Sequence, residues 1–174
     1  MSEGLYLFGA GDYARQLRRY AEDDLGKVLH GFVVDDEQQR SASLDGLPVI
    51  PLSEFEKSCD PGSTELIAAI GYRSFKARAA AFGRLKAAGF PLPNLICRQA
   101  YVAPSARLGR NNIIMPGAVI EPGVSLGDNN IVWSNATICH DSIVGSHNFF
   151  ASNATVGGQV RIGSENFFGF SSLV

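Results

Sequence analysis

His140 and Asp141 stand side by side in the chain, and that pairing is its clearest hint of chemistry. Imidazole takes up and returns a proton near neutral pH, which suits it to activate an amine or a hydroxyl. A neighbouring carboxylate can hold the ring in one orientation, although adjacent residues on a strand point to opposite sides and only a turn lets them cooperate. The plainer reading of His140 is a histidine in a surface turn. Cys139 invites comparison with a thiol nucleophile, but a small packed residue is the better account of it. A second cluster opens the chain: Gly9-Ala10-Gly11-Asp12-Tyr13-Ala14 is a GxGxxA turn, with Asp35-Asp36 some twenty residues beyond it. Such glycines can turn a strand into a helix whose N-terminus meets a phosphate, the later acid taking a ribose. They can equally serve close strand-to-helix packing alone, and the acid pair can be a solvated strand end. His30, His140 and His147 are too dispersed for a three-histidine zinc site, and Cys59, Cys97 and Cys139 show no close-pair spacing. No metal and no disulfide frame are expected.

What must position His140 is a repeat. From Val102 every sixth residue is large and apolar, through Leu108, Ile114, Ile120, Leu126, Val132, Ile138, Val144, Phe150, Val156, Ile162 and Phe168 to Val174. A period of eighteen lies over it, because Leu108-Gly109, Leu126-Gly127, Val144-Gly145 and Ile162-Gly163 each precede an asparagine, at Asn112, Asn130, Asn148 and Asn166. A helix repeats at about 3.6 residues and an ordinary strand at about 2, so this pattern fits neither. It predicts a parallel β-helix whose coils place three short strands on a triangular prism and stack about 4.8 Å apart. The sixth-position residues point inward, residues two before them are mostly small, and the asparagines mark a corner where they adopt unusual backbone angles and bond along the stack. On this register His140, two past inward Ile138, faces outward or toward a groove. His147 falls in an exposed turn, and Trp133, one off the ladder, faces a partner subunit or ligand.

Before the repeats the pattern changes to alternating strands and helices. Gly4 to Phe8 and Lys27 to Val34 read as strands, the first leading through the glycine turn into a helix to about Glu22. Pro48-Val49-Ile50, a helix from Leu52 to Lys57, a strand from Glu65 to Ile70, an alanine-rich helix from Ser74 to Ala88 and a last strand at Leu95-Ile96 follow. This predicts a small parallel sheet with helices on its faces. At about 98 residues it is a half-sized dinucleotide fold, able to hold one nucleotide. The expected division is an α/β Rossmann-like half domain over 1–98 and the β-helix over 99–174.

The totals exclude several classes. Of 174 residues 45% are hydrophobic, enough for a real core, and the net charge of −2 leaves no basic stripe for nucleic acid or anionic membranes. No run is long enough for a membrane span, no cleavable leader is evident, and an odd set of unpaired cysteines fits a reducing cytoplasm.

The order of these parts resembles the bacterial sugar acyltransferases that include sialic acid O-acetyltransferases and UDP-4-amino-sugar N-acetyltransferases. The likeness covers nearly the whole chain and is carried by Gly9 to Ala14, GFVVDD at Gly31 to Asp36, AIGYRSFKAR at Ala69 to Arg78 and HDSIVG at His140 to Gly145. It implies a left-handed β-helix, an acyl-CoA-dependent transferase, and direct transfer of an acetyl group from acetyl-CoA to an amine or hydroxyl of a sugar or nucleotide sugar. In that family a histidine at the position of His140 is the general base, its acidic neighbour, here Asp141, orients it, and a backbone amide one coil on, at Gly158 beside Gly157, polarises the thioester carbonyl. The resemblance further implies a homotrimer with acyl-CoA between neighbouring prisms, where Asn153 and Trp133 are expected to contribute. Gly9, Gly11, Asp12, Asp35, Asp36 and Tyr72 are expected to bind the acceptor, with Asp12 a repulsive neighbour for a diphosphate. Phe149 stands where some relatives carry a second histidine. Relatives continue for more coils, so the stop at Val174 in mid-coil reads as a missing C-terminal part. The rival classes are a non-catalytic trimeric hexapeptide scaffold and an NAD-linked enzyme, which the half-sized domain predicts will not bind.

Overall fold

The computed structural model describes residues 4–71 and 73–174, and divides into two compact units, Met1–Pro93 and Asn94–Val174. In the first, β1 (Leu5–Phe8), β2 (Leu29–Val34), β4 (Leu47–Pro51) and β5 (Glu65–Ala68) are parallel, while β3 (Ser43–Leu44) adds an antiparallel edge. The strand order is β3-β4-β2-β1-β5. All four residues of central β1 are buried, as a strand covered on both faces must be. Helices α1 (Asp12–Arg19), α2 (Leu52–Ser58) and α3 (Phe75–Ala87) connect the strands. Ser74 caps α3 by accepting the Ala77 N–H at 3.2 Å, which satisfies a free amide of the first turn. Tyr6, Phe8, Phe55, Leu66, Phe82 and Phe90 belong to one core cluster. Two local features differ from expectation. The first helix continues from Arg19 as a π-helical turn over Tyr20–Asp24, and the polar segment before β4 contains β3.

In the second unit the strands pair with a constant offset of eighteen residues: Ile120 with Val102 and Ile138, Ile138 with Val156, Leu126 with Leu108 and Val144, Val132 with Ile114 and Phe150. Three parallel sheets result, with the expected ladder inside: Ile114, Ile120, Leu126, Val132, Ile138, Val144, Phe150 and Val156 are buried together with small Ala118, Ala136 and Ala154. Phe150 and Phe168 stack nearly flat, 4.6 Å apart at 3°. This is the hexapeptide β-helix the period predicts.

Two corrections follow from the pairing. Leu95–Ile96 pairs in parallel with Ile113–Ile114, so it is the first rung of the coil and not the last strand of the preceding domain; the compact units divide at 93/94, ahead of that rung, and not at 98/99. The asparagine ladder bonds along the stack but does not occupy the strained corner. Asn94 Oδ1 accepts the Asn112 N–H at 2.7 Å, Asn112 Oδ1 that of Asn130 at 2.9 Å, and Asn130 Oδ1 that of Asn148 at 2.9 Å. The left-handed angles fall one residue earlier, at Asn111, Asn129, His147 and Glu165. Positive φ in fact recurs at every sixth residue from Asn111 to Ser171, so all three corners of the prism turn through that region. Asn, Asp and Gly fill seven of these eleven sites, as the steric cost of a left-handed residue predicts.

Candidate active site

The corner that follows Ile120, Ile138 and Val156 stacks Pro122, His140 and Gly158, and after them Gly123, Asp141 and Gln159. These last three have φ of 76°, 57° and 60°, so the chain doubles back there and supplies the turn that His-Asp cooperation needs. Nδ1 of His140 lies 3.1 Å from Oδ2 of Asp141. Gly123, one coil earlier, leaves the space that Asp141 Oδ1 fills. With Nδ1–H donating to the carboxylate, Nε2 is the basic nitrogen.

The other side of the ring rests on Gly158. A Cβ at that residue would stand 2.6 Å from Nε2 and 2.7 Å from Cε1, so glycine is what lets the ring lie there. The amides on either side are occupied, Gly157 N–H donating to Val174 O at 2.7 Å and Gln159 N–H to His140 O at 2.8 Å. Among the described residues the Gly158 N–H has no hydrogen-bond partner. His140 and Gly158 are both exposed. One open corner therefore offers a proton acceptor beside an uncommitted backbone donor, the two groups that addition to a carbonyl requires.

Two neighbours complete the corner. Buried Ser142 donates to Gly157 O at 2.8 Å and accepts the Val160 N–H at 3.1 Å, tying the His140 coil to the Gly158 coil. Glu121, absent from the sequence-based site, accepts the His140 backbone N–H on Oε2 at 2.7 Å. Its place eighteen residues before Cys139 was the available signal. Burial, then the Glu121 carboxylate, pushes the Cys139 thiol above its usual range, which keeps it protonated and unsuited to nucleophilic attack.

The remaining expected residues of this unit do not share that corner. Asn153 is exposed with φ of 61° and donates its N–H to Ser134 O at 3.2 Å, in the stack of Gly117 and Asn135. Trp133 is half-buried and stacks on Phe149 at 5.9 Å and 25°, and Phe149 stacks on Phe167 at 5.3 Å and 16°. Phe149 is thus part of an aromatic column. His147 is half-buried, its Nδ1 2.9 Å from Asn129 Nδ2, so the exposed-turn expectation is corrected: the turn is there, but the ring joins an amide stack.

In the first unit a cleft of about 420 Å³ opens at the carboxyl ends of β1 and β2 and is lined by Gly9, Gly11, Asp35, Gln38, Arg40 and Ser41 among others. That is where a parallel α/β sheet offers its ligand site. Gly9, at φ 123°, packs so tightly that a Cβ would come 2.7 Å from Ala69 O, whereas Gly11 has nothing within 4 Å of its own Cβ position. Gly9 thus serves the turn, and Gly11 leaves the α1 N-terminus open. Asp35 is gripped in a fork by Arg84, Nη1 to Oδ1 at 2.8 Å and Nη2 to Oδ2 at 3.0 Å. Asp36 is outside the cleft lining; its Oδ1 accepts the Ser53 N–H at 3.1 Å in the first turn of α2, and those Ser53 hydrogen bonds hold its carboxyl below the usual range. Asp12, its side chain 97% exposed, is outside the lining too. Tyr72 lies outside the described residues. Gln38, Arg40 and Ser41 were missed because a polar loop carries no periodic signal.

Among the described residues no group of three or more His, Cys, Asp or Glu could hold a metal ion, and no helix is long and apolar enough to cross a membrane.

The family model for the bacterial transferase hexapeptide (six repeats) matches residues 96–140. No curated protein matches the chain. Among solved structures, the chain is similar to the acetyltransferase domain of PglB from Neisseria gonorrhoeae FA1090 in complex with acetyl coenzyme A, at 29% identity and a TM-score of 0.84, covering 99% of this chain and 82% of that one. WeeI from Acinetobacter baumannii AYE matches at 15% identity and a TM-score of 0.84, over 99% and 81% of the two chains. A His-to-Ala mutant of GDP-perosamine N-acetyltransferase from Caulobacter crescentus, in complex with CoA and GDP-perosamine, matches at 22% identity and a TM-score of 0.74, over 98% and 88%. The last two share the fold. The family model and the PglB domain bear out the resemblance to bacterial acetyltransferases of the hexapeptide-repeat class.

Proposed function

We propose that this chain is an acetyltransferase of the hexapeptide-repeat class, moving an acetyl group from acetyl-CoA to an amino or hydroxyl group of a sugar or nucleotide sugar, with His140 as general base. The observation that carries the reading is the ring of His140, tied to Asp141 and lying over the free amide of Gly158. In this scheme the acceptor nitrogen or oxygen attacks the thioester carbon while His140 Nε2 takes its proton. The Gly158 N–H donates to the carbonyl oxygen as it gains charge. When the carbon–sulfur bond breaks, the imidazolium returns the proton to the departing thiolate. Asp141 keeps Nδ1 protonated throughout and so keeps Nε2 available.

Acetyl-CoA suits the corner because Gly157-Gly158 places no side chain over the free amide and because the similar PglB domain carries that molecule. The acceptor's nucleotide is assigned to the cleft beside Gly9 and Gly11, with Asp35 as a polar contact held in place by Arg84, and Asn153 and Trp133 are assigned to acyl-CoA across a homotrimer interface. Asp36 serves chiefly to cap α2 in this reading, and Asp12 and Tyr72 stand as expected acceptor contacts.

The test is product analysis. The chain is incubated with acetyl-CoA and a panel of nucleotide-linked amino sugars and unmodified hexoses, and the acceptors are analysed by mass spectrometry. An acetylated nucleotide amino sugar or hexose is expected. CoA release without any acetylated acceptor across the panel contradicts the reading.

A further inference from the structure

Glu121 lies one coil before the His140 corner, and its carboxylate makes a bond that the β-helix ladder does not supply. The ladder ties Cys139 N–H to Val156 O at 3.0 Å and Asp141 N–H to Pro122 O at 3.1 Å. The amide between them has no carbonyl to meet. At the stacked positions Pro122 has no N–H and the Gly158 N–H is unpaired, so the His140 N–H would also point free out of the corner. Glu121 Oε2 takes it at 2.7 Å, a charge-assisted bond at the short end of its range.

We propose that Glu121 is a positioning residue for the acyl transfer: by holding the His140 amide it fixes the peptide from which the imidazole is aimed at Asp141 and laid over Gly158. The inference rests on His140 acting as the base. His140 has two aiming contacts that depend on its backbone, the 3.1 Å link to Asp141 and the close seat on Gly158. Both involve an exposed ring, whose orientation water would otherwise contest. Glu121 is half-buried and one coil before the corner, and its carboxylate engages the His140 backbone N–H, not the Nε2 or the Gly158 N–H that would meet substrate. Its effect should therefore appear in turnover and leave acetyl-CoA affinity nearly unchanged.

The acceptor of the hydrogen bond is an oxygen, so glutamine preserves it and alanine removes it. Glu121→Ala is expected to lower kcat by about 10- to 100-fold, on the scale of a misaimed catalytic group, with KM for acetyl-CoA within about threefold of wild type. Glu121→Gln is expected to keep kcat within about fivefold. Amide hydrogen exchange followed by NMR reads the same contact without turnover. Exchange at the His140 amide should speed at least about tenfold in Glu121→Ala and stay slow in Glu121→Gln, while the Cys139 and Asp141 amides stay protected in both. Unchanged protection of His140 in Glu121→Ala overturns the proposal, as does an alanine variant with wild-type kcat. Wild type that transfers no acetyl group defeats the proposed function instead, and the exchange data then still decide whether Glu121 holds this corner.

Discussion

Alanine at Gly158 is a perturbation whose consequence can be worked from distances. Its Cβ would meet three atoms of the His140 ring at 2.6, 2.7 and 3.1 Å, where ordinary contact begins at 3.4 Å. The obstructing atoms are the end of an exposed side chain, and Gly158 is not among the residues with positive φ. The backbone can therefore accept alanine, and the ring must retreat by about 1 Å. Displacement of a catalytic group by that distance costs about 100-fold, equivalent to about 2.7 kcal/mol of barrier. The assay is thiol release at saturating acetyl-CoA and acceptor, paired with thermal unfolding of the same samples. Gly158→Ala should fall about 100-fold in kcat with Tm within about 2 °C of wild type. In a His140→Ala background it should cost little more, because both changes act through one ring. A Gly158→Ala protein that keeps kcat within threefold refutes the reasoning. So does a loss of similar size when His140 is already alanine.

Other outcomes follow from the same contacts. Asn130→Ala removes a buried side chain that donates from Nδ2 to Asn112 Oδ1 and accepts on Oδ1 from the Asn148 N–H and Nδ2, and should cost about 2–3 kcal/mol in denaturant unfolding, given that the Asn148 N–H loses its acceptor; a loss under about 0.5 kcal/mol would show the ladder to be decorative. Gly83→Ala, mid-helix in α3 with nothing within 4 Å of the new methyl, should add about 0.5–1 kcal/mol, and any destabilisation by urea titration counts against that packing. Asp36 has its carboxyl pKa depressed by the Ser53 hydrogen bonds, so its contribution is present above the unfolded value of about 4 and is lost as pH falls through the lower folded value. Wild type should thus lose stability on acidification below about pH 4 more steeply than Asp36→Ala. Parallel curves would remove Asp36 from the α2 cap.

The β-helix was legible because one physical demand, an apolar residue inside each face, repeats without interruption from Val102 to Val174. The stacking of His140 over Gly158 came with it, since an eighteen-residue offset is simple arithmetic once the coil is recognised. The His140–Asp141 pairing was expected only on condition of a turn, and the left-handed angle at Asp141 that supplies it was not read from the sequence. The clue existed in the row of Asn, Asp and Gly at every sixth position from Asn111, which the ladder at Asn112, Asn130, Asn148 and Asn166 obscured by one residue. Asn94 and Ile96 continue both periods backward, yet the apparent last strand of an α/β domain hid them. In the first unit the strand-turn-helix order was visible from the glycine turn. The partners of the two aspartates were not, because Arg84 and Ser53 approach Asp35 and Asp36 from 49 and 17 residues away through the packing of α3 and α2. Glu121 escaped notice because the eighteen-residue offset stacks it on Cys139, whereas its carboxylate reaches the amide of His140, nineteen residues on.

The most direct measurement of the central claim is steady-state kinetics of His140→Ala beside wild type, with acetyl-CoA and an accepted sugar. The account predicts a kcat lower by about 10²- to 10⁴-fold, as expected for removal of a general base, with KM for acetyl-CoA within about threefold. A His140→Ala protein that turns over at the wild-type rate would contradict it.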